Sequence, residues 1–508
     1  MASPALSPLE VIVAALIVLG VVKSFLHRKR SQYHPGPPGL PLVGNTFQVP
    51  PKSWNYFKSL GLKYGPVVHI SVGGDNVLLL SRALEANELL DKRSAIYSSR
   101  PRSIYAGKYQ SQGKRTVIMP YGPTLRRHRA IFQQLLQTKS IGAYEIYQDA
   151  GSVKLLHDIL TQPDDTFMNV HRFSASLIFQ LTYGRRLEGD DKDLKAVLRV
   201  LENFVREITP GSHLVDALPI LDILPDLLAP WRVKALKAHE EEMKLYFRLA
   251  KEVKTKMDTG GSNAECFLAH IWEEQEKLDI DEKEIAYVGG TAFEAGTGTT
   301  ADSILWFLAA ALLFPDPIHR AQQEIDAIVG DRMPTFADFK DMPYCAALVK
   351  EIFRWCPSIP GMPHASDRDD NFQGYRVDKG TVIMPNIWGM HHDEEKFDPS
   401  RYLCSENSDP EALSFEGLVD GHYLFGFGRR ICPGRYLASK SVWLAVTRIL
   451  WAFSILPVVD IDGKPILPDM SKCSGGVTNT PDEFPVRLVC RSEERANTVR
   501  QATENIIY

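Results

Sequence analysis

Cysteine is scarce and unpaired in this sequence. Cys266, Cys345, Cys356, Cys404, Cys432, Cys473 and Cys490 are scattered through 508 positions, an odd number with no Cys-x-x-Cys spacing. That excludes a disulfide framework and a structural zinc site, and fits a reducing compartment. No Asn-x-Ser/Thr acceptor occurs either, which points the same way. Strong net charge is also missing: −4 overall, with a pI near 6.4, argues against a nucleic-acid binder. Past the first forty residues there is no linker, repeat or low-complexity block. The chain exceeds the roughly 250–300 residues at which a single core usually stops growing, yet one large catalytic unit over residues 45–508 is the simplest organisation.

An unbroken apolar run occupies residues 11–22, extended with polar interruptions to 9–26 and followed at once by His27-Arg28-Lys29-Arg30. A cleaved signal peptide would carry its positive charge before the run, whereas Glu10 stands there. The uninterrupted part is short of the ~20 residues a span needs, but a terminal helix apolar on every face has little to bury it. The expectation is a signal anchor over 1–26 with its basic side cytoplasmic. Residues 27–44 then form a basic and proline-rich hinge, His34-Pro35-Gly36-Pro37-Pro38-Gly39-Leu40-Pro41, too rich in proline for helix and too stiff for a floppy tether.

What the body of the chain does have is helical periodicity, as at 238–256 and 317–329, where Ile318, Ala321, Ile325 and Ile328 recur at helical spacing. β-like stretches are confined to 67–72, 76–80, 375–385 and 455–490. The fold class is mainly α with a small β region. Near the C-terminus one cysteine sits in a glycine- and arginine-rich loop, Phe425-Gly426-Phe427-Gly428-Arg429-Arg430-Ile431-Cys432-Pro433-Gly434, that runs into a helical pattern. Cys432 is expected at a helix N-terminus, with Pro433 at the first helical position, where the dipole and unpaired N–H groups favour a thiolate.

The loop matches Phe-x-x-Gly-x-Arg-x-Cys-x-Gly at every defined position and resembles the haem-binding signature of the cytochrome P450 superfamily, in particular fungal microsomal members. The resemblance implies a fold with haem b between a long central helix and the cysteine-loop helix. It also implies that Cys432 is the axial thiolate ligand of iron, favouring O–O cleavage. Gly428 and Gly434 would bring backbone N–H groups to the sulfur, Phe425 would pack over it, and Arg430 would meet a haem propionate. Where the family reads Trp-x-x-x-Arg, this chain has Leu125 and Arg129, so Arg129 remains a propionate ligand while Leu125 cannot donate. His364 takes a position that in the family meets a propionate.

The departure from the family lies in the apolar helix expected over 284–313, at Phe293-Glu294-Ala295-Gly296-Thr297-Gly298-Thr299-Thr300. Thr299 falls on the threonine that steers protons to dioxygen, but Gly298 stands at the acidic position before it. Glu294 and Asp302, four residues to either side, are the substitutes that helical spacing offers, Glu294 ahead of Asp302. Two glycines inside a helix need a reason, and the resemblance favours room for haem and dioxygen over close helix packing. Glu351-x-x-Arg354 with Arg401 resembles a buried structural triad, and Arg126, Arg127, Arg429 and Arg435 a cationic face for a reductase. The implied activity is a membrane-bound monooxygenase of the endoplasmic reticulum. It would take electrons from NADPH through cytochrome P450 reductase and oxidise a lipophilic secondary metabolite such as a terpenoid. A reductase-independent isomerase or peroxygenase, and a non-catalytic haem-binding protein, are the alternatives.

Overall fold

Prolines cut much of the chain into its elements: Pro123, Pro230, Pro315 and Pro343 each open a helix at a position where the missing N–H costs nothing. The computed structural model describes residues 32–40, 43–187, 191–260, 266–392, 396–403 and 414–506. Its principal helices are α1 (Ser53–Tyr64), α2 (Pro123–Leu136), α3 (Glu145–Thr161), α4 (Thr166–Tyr183), α5 (Lys192–Ile208), α6 (Pro230–Asp258), α7 (Phe267–Glu273), α8 (Glu282–Leu313), α9 (Pro315–Val329), α10 (Pro343–Trp355), α11 (Arg435–Ala452) and α12 (Glu493–Glu504). The strands are β1 (Val67–Val72), β2 (Asp75–Leu80), β3 (His364–Ala365), β4 (Asp370–Phe372), β5 (Tyr375–Val377), β6 (Val382–Pro385), β7 (Phe453–Val459), β8 (Pro465–Ile466) and β9 (Val486–Cys490).

The β content falls where the alternating stretches place it. One four-stranded sheet has the order β1-β2-β6-β3, with β2 parallel to β6 in the register Val77↔Val382. Its β1–β2 hairpin turns on Gly73 and Gly74, both at positive φ (+58° and +84°). Against this sheet lies the proline-rich segment. The Tyr33 ring stacks on His69 at 4.8 Å and its hydroxyl donates to Asp378 at 2.7 Å. Gly36 is required there, because a Cβ would lie 1.9 Å from the His69 carbonyl oxygen. The segment is thus docked on the catalytic body. The anchor expected over 1–26 lies outside the described residues.

Helix α8 runs through the core. It is buried from Ile285 to Val288 and again from Ile304 to Ala310, and packs against α4, α6 and α11. Small residues let its neighbours close in: a Cβ on Gly290 would meet the Tyr246 ring of α6 at 2.6 Å, and one on Gly296 would meet Ile178 of α4 at 2.6 Å. Among the described residues α8 is the helix long and apolar enough to cross a membrane, but its apolar surface is spent on this packing. In α9 the expected face is buried at Ile318, Ala321 and Ile325, while Ile328 turns to solvent.

Candidate active site

The cysteine loop is shaped by two glycines at positive φ, Gly426 (+75°) and Gly428 (+54°), which fold it so that the Cys432 N–H donates to the Phe425 carbonyl at 2.8 Å. Two expectations need correcting here. Helix α11 begins at Arg435 with Gly434 as its N-cap, so Pro433 is not the first helical residue and Cys432 precedes the cap by two positions. Gly428 does not bring its N–H to the sulfur. It donates to the Asp91 carboxylate instead, and its lack of a side chain lets the loop pass the Leu90 carbonyl, 1.9 Å from where a Cβ would lie. Gly434 does approach: its N–H donates to the Cys432 sulfur.

Burial pushes the Cys432 thiol up, while the Gly434 N–H and the charges of Arg129 and Arg435 pull it back toward thiolate. Arg435 also donates to the Cys432 carbonyl at 3.1 Å. Phe425 packs beside the loop against Phe353 and His422, ring centres 5.6 Å away in each case. Among the described residues no three His, Cys, Asp or Glu side chains gather to hold a metal. A metal at Cys432 would therefore have one protein ligand and take the rest of its coordination from a cofactor.

Next to this loop is a buried basic cluster. Arg430 donates to the carbonyls of Ser98 (2.7 Å), Thr116 (3.3 Å) and Met119, and Arg100 to those of Val117 (2.9 Å) and Pro363. His364, 3% exposed, is held by the Tyr97 carbonyl at 2.9 Å through Nδ1. Among the described residues no carboxylate offsets these charges. Burial and the neighbouring guanidiniums depress Arg430 to about 8 and Arg100 to about 10, and hold His364 well below the usual range. Arg129 is also lowered, by burial first and then by Arg435, with the Cys432 sulfur the group that offsets it. Four like-charged or chargeable groups gathered without an acid form a socket for a ligand carrying two carboxylates. Together with the single thiol ligand, they fit haem.

The other face is the middle of α8. This helix is open only around Ala295, Gly296, Gly298 and Thr299, between fully buried stretches. The Thr299 hydroxyl donates to its own helix at the Ala295 carbonyl, 2.9 Å, and its carbonyl accepts from Ser303 and Ser358, both at 3.1 Å. Gly298 meets only Leu201 at 3.5 Å, an ordinary contact, so space is free beside it. Gly296 has the other explanation, close packing on Ile178, with Ser174 donating to its carbonyl at 2.9 Å.

Glu294 points into a buried polar seam. Tyr246 donates to it, and Arg115 Nη2 lies 3.2 Å from its Oε1 and 2.7 Å from Glu242 Oε2. Burial and Glu242 raise Glu294 to about 7 against the pull of Arg115 and Tyr246. Asp302 is 2% exposed with a Thr480 hydrogen bond and no cation beside it, and burial raises it to about 8. Thr299, Glu294 and Asp302 thus leave α8 toward different surroundings.

Glu351, Arg354 and Arg401 meet as expected. Arg354 grips Glu351 at 2.7 and 2.8 Å, and Arg401 Nε lies 3.0 Å from the same carboxylate. Of the four arginines expected on a cationic face, Arg126 and Arg429 are exposed and flank the Tyr121 ring. Arg127 is tied to Glu284 at 2.8 Å, and Arg435 to the cysteine loop. Two functional candidates escaped the sequence: Arg100 and Arg115. Both lie between β2 and α2, where charged residues outside regular helix read as solvated until the fold shows what they pack against.

The comparisons with known proteins agree. The Cytochrome P450 family model matches residues 34–486. The chain is similar to cytochrome P450 monooxygenase fogE of Aspergillus ruber, 35% identical over 96% of this chain and 93% of that one. It is also similar to cytochrome P450 monooxygenase virE of Hypocrea virens, 34% identical over 94% and 89% of the two chains. In three dimensions it resembles a zebrafish cytochrome P450 solved with abiraterone, with a TM-score of 0.68 and 24% identity over 87% of this chain and 100% of that one.

Proposed function

The chain belongs to the cytochrome P450 family and is a haem-thiolate monooxygenase, and on that premise we propose that it oxidises a lipophilic secondary metabolite, such as a terpenoid, with electrons from NADPH delivered by cytochrome P450 reductase. The observation that carries the site assignment is the basic cluster with no acid of its own, beside a loop whose one thiol can ligate iron. In this reading Cys432 would ligate the iron, and Arg100, Arg129, Arg430 and His364 would hold the propionates. Bound haem would supply dioxygen activation and insertion of one oxygen atom into a C–H bond.

The protein's own part on the distal side is to move protons and exclude water. The Thr299 hydroxyl must rotate away from the Ala295 carbonyl to donate toward the open space beside Gly298. Glu294 is the proposed proton-holding group, with Asp302, three residues beyond Thr299, as the other source. A group that titrates near the working pH transfers protons most effectively, and both carboxyls are raised into that region.

Membrane association is part of the proposal. Leu214, Leu218, Ile220, Ile223, Leu227 and Leu228 are all more than half exposed in one stretch between α5 and α6. Phe47, 78% exposed, lies on the same side, since the Gly73 turn faces Ala217, 3.4 Å from where a Cβ would lie, and the Gly73 N–H donates to the Thr46 hydroxyl at 2.9 Å. An apolar patch of this kind supports anchoring to the endoplasmic reticulum beside the segment 1–26. Arg126 and Arg429 supply the exposed charge for reductase docking.

The test is turnover by the membrane-bound holoenzyme with reductase, NADPH and isotopically labelled dioxygen. One labelled atom in the product supports the reading. Product formed equally well without reductase, from peroxide or by rearrangement, replaces it with the peroxygenase or isomerase reading that Gly298 keeps open. Unchanged coupling in both Glu294→Gln and Asp302→Asn removes them as proton sources.

A further inference from the structure

A cavity of about 710 Å³ adjoins the basic cluster, sharing Arg100 with it, and Arg102, Lys108, Gln112, Gly113 and Arg115 belong to its wall. The wall is an ordered structure. Residues Ile104–Gln110 form a π-helical turn, a form that recurs at functional sites. A tight reversal follows in which Gln112 (φ +48°) and Gly113 (φ +72°) are both left-handed, a conformation that a non-glycine residue keeps only when its surroundings force it. Two residues on is Arg115.

Arg115 is fully buried, and its position is fixed on two sides. Nη2 is held by Glu242 and Glu294, and the guanidinium carbon lies 3.8 Å from the centre of the Phe204 ring. Its Nε and Nη1 nevertheless have no hydrogen-bond partner. Buried donors without partners are rare in native proteins and call for an explanation. Here they belong to the one guanidinium that joins the cavity wall to α8, through Glu294, the residue before the open stretch that begins at Ala295.

We propose that Arg115 is a specificity-determining residue that binds a carboxylate on the substrate, with Nε and Nη1 as donors. A carboxylate is an acceptor-only group that can take several N–H bonds, which matches what these atoms lack. The charge around them permits it. Among the described residues Arg100 has no acid beside it, Arg102 faces Asp75, Lys108 is paired with Asp222, and burial raises Glu294 to about 7, which weakens its claim on the guanidinium. A molecule held by its carboxylate at Arg115 would lay its apolar body on the cavity wall at Ile118, Met119 and Val382. The substrate is then an amphiphilic acid rather than a neutral hydrocarbon.

This rests on the haem-monooxygenase reading, and the test separates the two. Purified holoenzyme is titrated with dodecanoate and with 4-phenylbenzoate, each against its own methyl ester, following the Soret band. The wild type should bind at least one acid tenfold or more tightly than its ester. Because Arg115→Gln alone would strand Glu242, the preference is also measured in Arg115→Gln/Glu242→Gln. It should fall to within about twofold in both variants and return in part in Arg115→Lys. Equal affinity of acid and ester in the wild type, no binding of either acid, or a preference that survives in the double variant overturns the proposal and leaves water as the partner of the two donors. A carbon monoxide difference spectrum lacking the thiolate signature would overturn the haem reading itself. An intact spectrum without acid preference overturns only the role of Arg115.

Discussion

Asp302 should make this protein less stable as the pH rises. Its carboxyl is 2% exposed within α8, takes one hydrogen bond from Thr480 and faces no cation, so the charged form is expensive and its pKa rises from 3.8 to about 8. Between those values the folded chain holds a proton that the unfolded chain has released. Stability is therefore full below the unfolded value and declines as pH climbs toward the folded one. Integrated from pH 5 to pH 8, a shift of that size amounts to about 3 kcal/mol. Asp302→Asn keeps the acceptor for Thr480 and removes the titration. With an unfolding entropy of about 2.1 cal/mol/K per residue, 508 residues give roughly 1 kcal/mol per degree. Because the unfolded carboxyl is already ionised at pH 5, the variant should melt about 2 °C above the wild type there and about 5 °C above it at pH 8. Differential scanning calorimetry of the holoenzyme across that range measures the gap. Parallel melting curves at every pH would show that Asp302 is ionised in the native state, by water or a counter-charge, and would refute the reasoning.

Other consequences follow from single contacts. Arg100→Gln removes a half-buried cation from the proposed propionate socket. A hydrogen bond to a charged group contributes about 1.5–3 kcal/mol, so haem should leave at least tenfold faster in a transfer assay to an apoglobin. Glu351→Gln leaves Arg354 and Arg401 without their shared carboxylate. Breaking a buried pair costs about 3–5 kcal/mol, and urea unfolding should register a loss of that order or show no folded protein. Gly290→Ala drives a methyl into the Tyr246 ring at 2.6 Å. It should cost about 1–3 kcal/mol by overpacking and, by moving Tyr246 off Glu294, shift the pH dependence of coupling. Burial holds His422 near pH 4 as its midpoint, below the ordinary 6.5. It therefore subtracts stability as pH falls from 6.5 toward 4, and His422→Gln should flatten the acid side of the melting profile.

The cysteine loop was legible because its chemistry is local. Phe425, Cys432 and Gly434 act within ten residues of chain, and backbone dihedrals impose most of their arrangement. The long central helix, the paired Glu351 and Arg354 one turn apart, and the places where strands occur were legible for the same reason, since helical and strand periods are properties of neighbouring residues. What Gly428 does could not be read locally. Its contact is the Leu90 carbonyl, more than three hundred positions away, and only the packed loop shows that the glycine serves a crossing instead of a sulfur. Gly296 likewise answers to Ile178 on another helix.

By itself, then, the sequence determined a haem-thiolate enzyme of mainly helical fold and singled out Cys432 and Thr299 as the proposed iron ligand and distal threonine, since each depends on residue type at short spacing. The tertiary structure decided the surroundings that set charge and protonation. It brought Arg100, Arg129, His364 and Arg430 together without an acid, turned Glu294 toward Arg115 and Tyr246, and buried Arg115 with donors to spare. Burial and charge proximity act through space among segments far apart in the chain, and no pattern of neighbours encodes them.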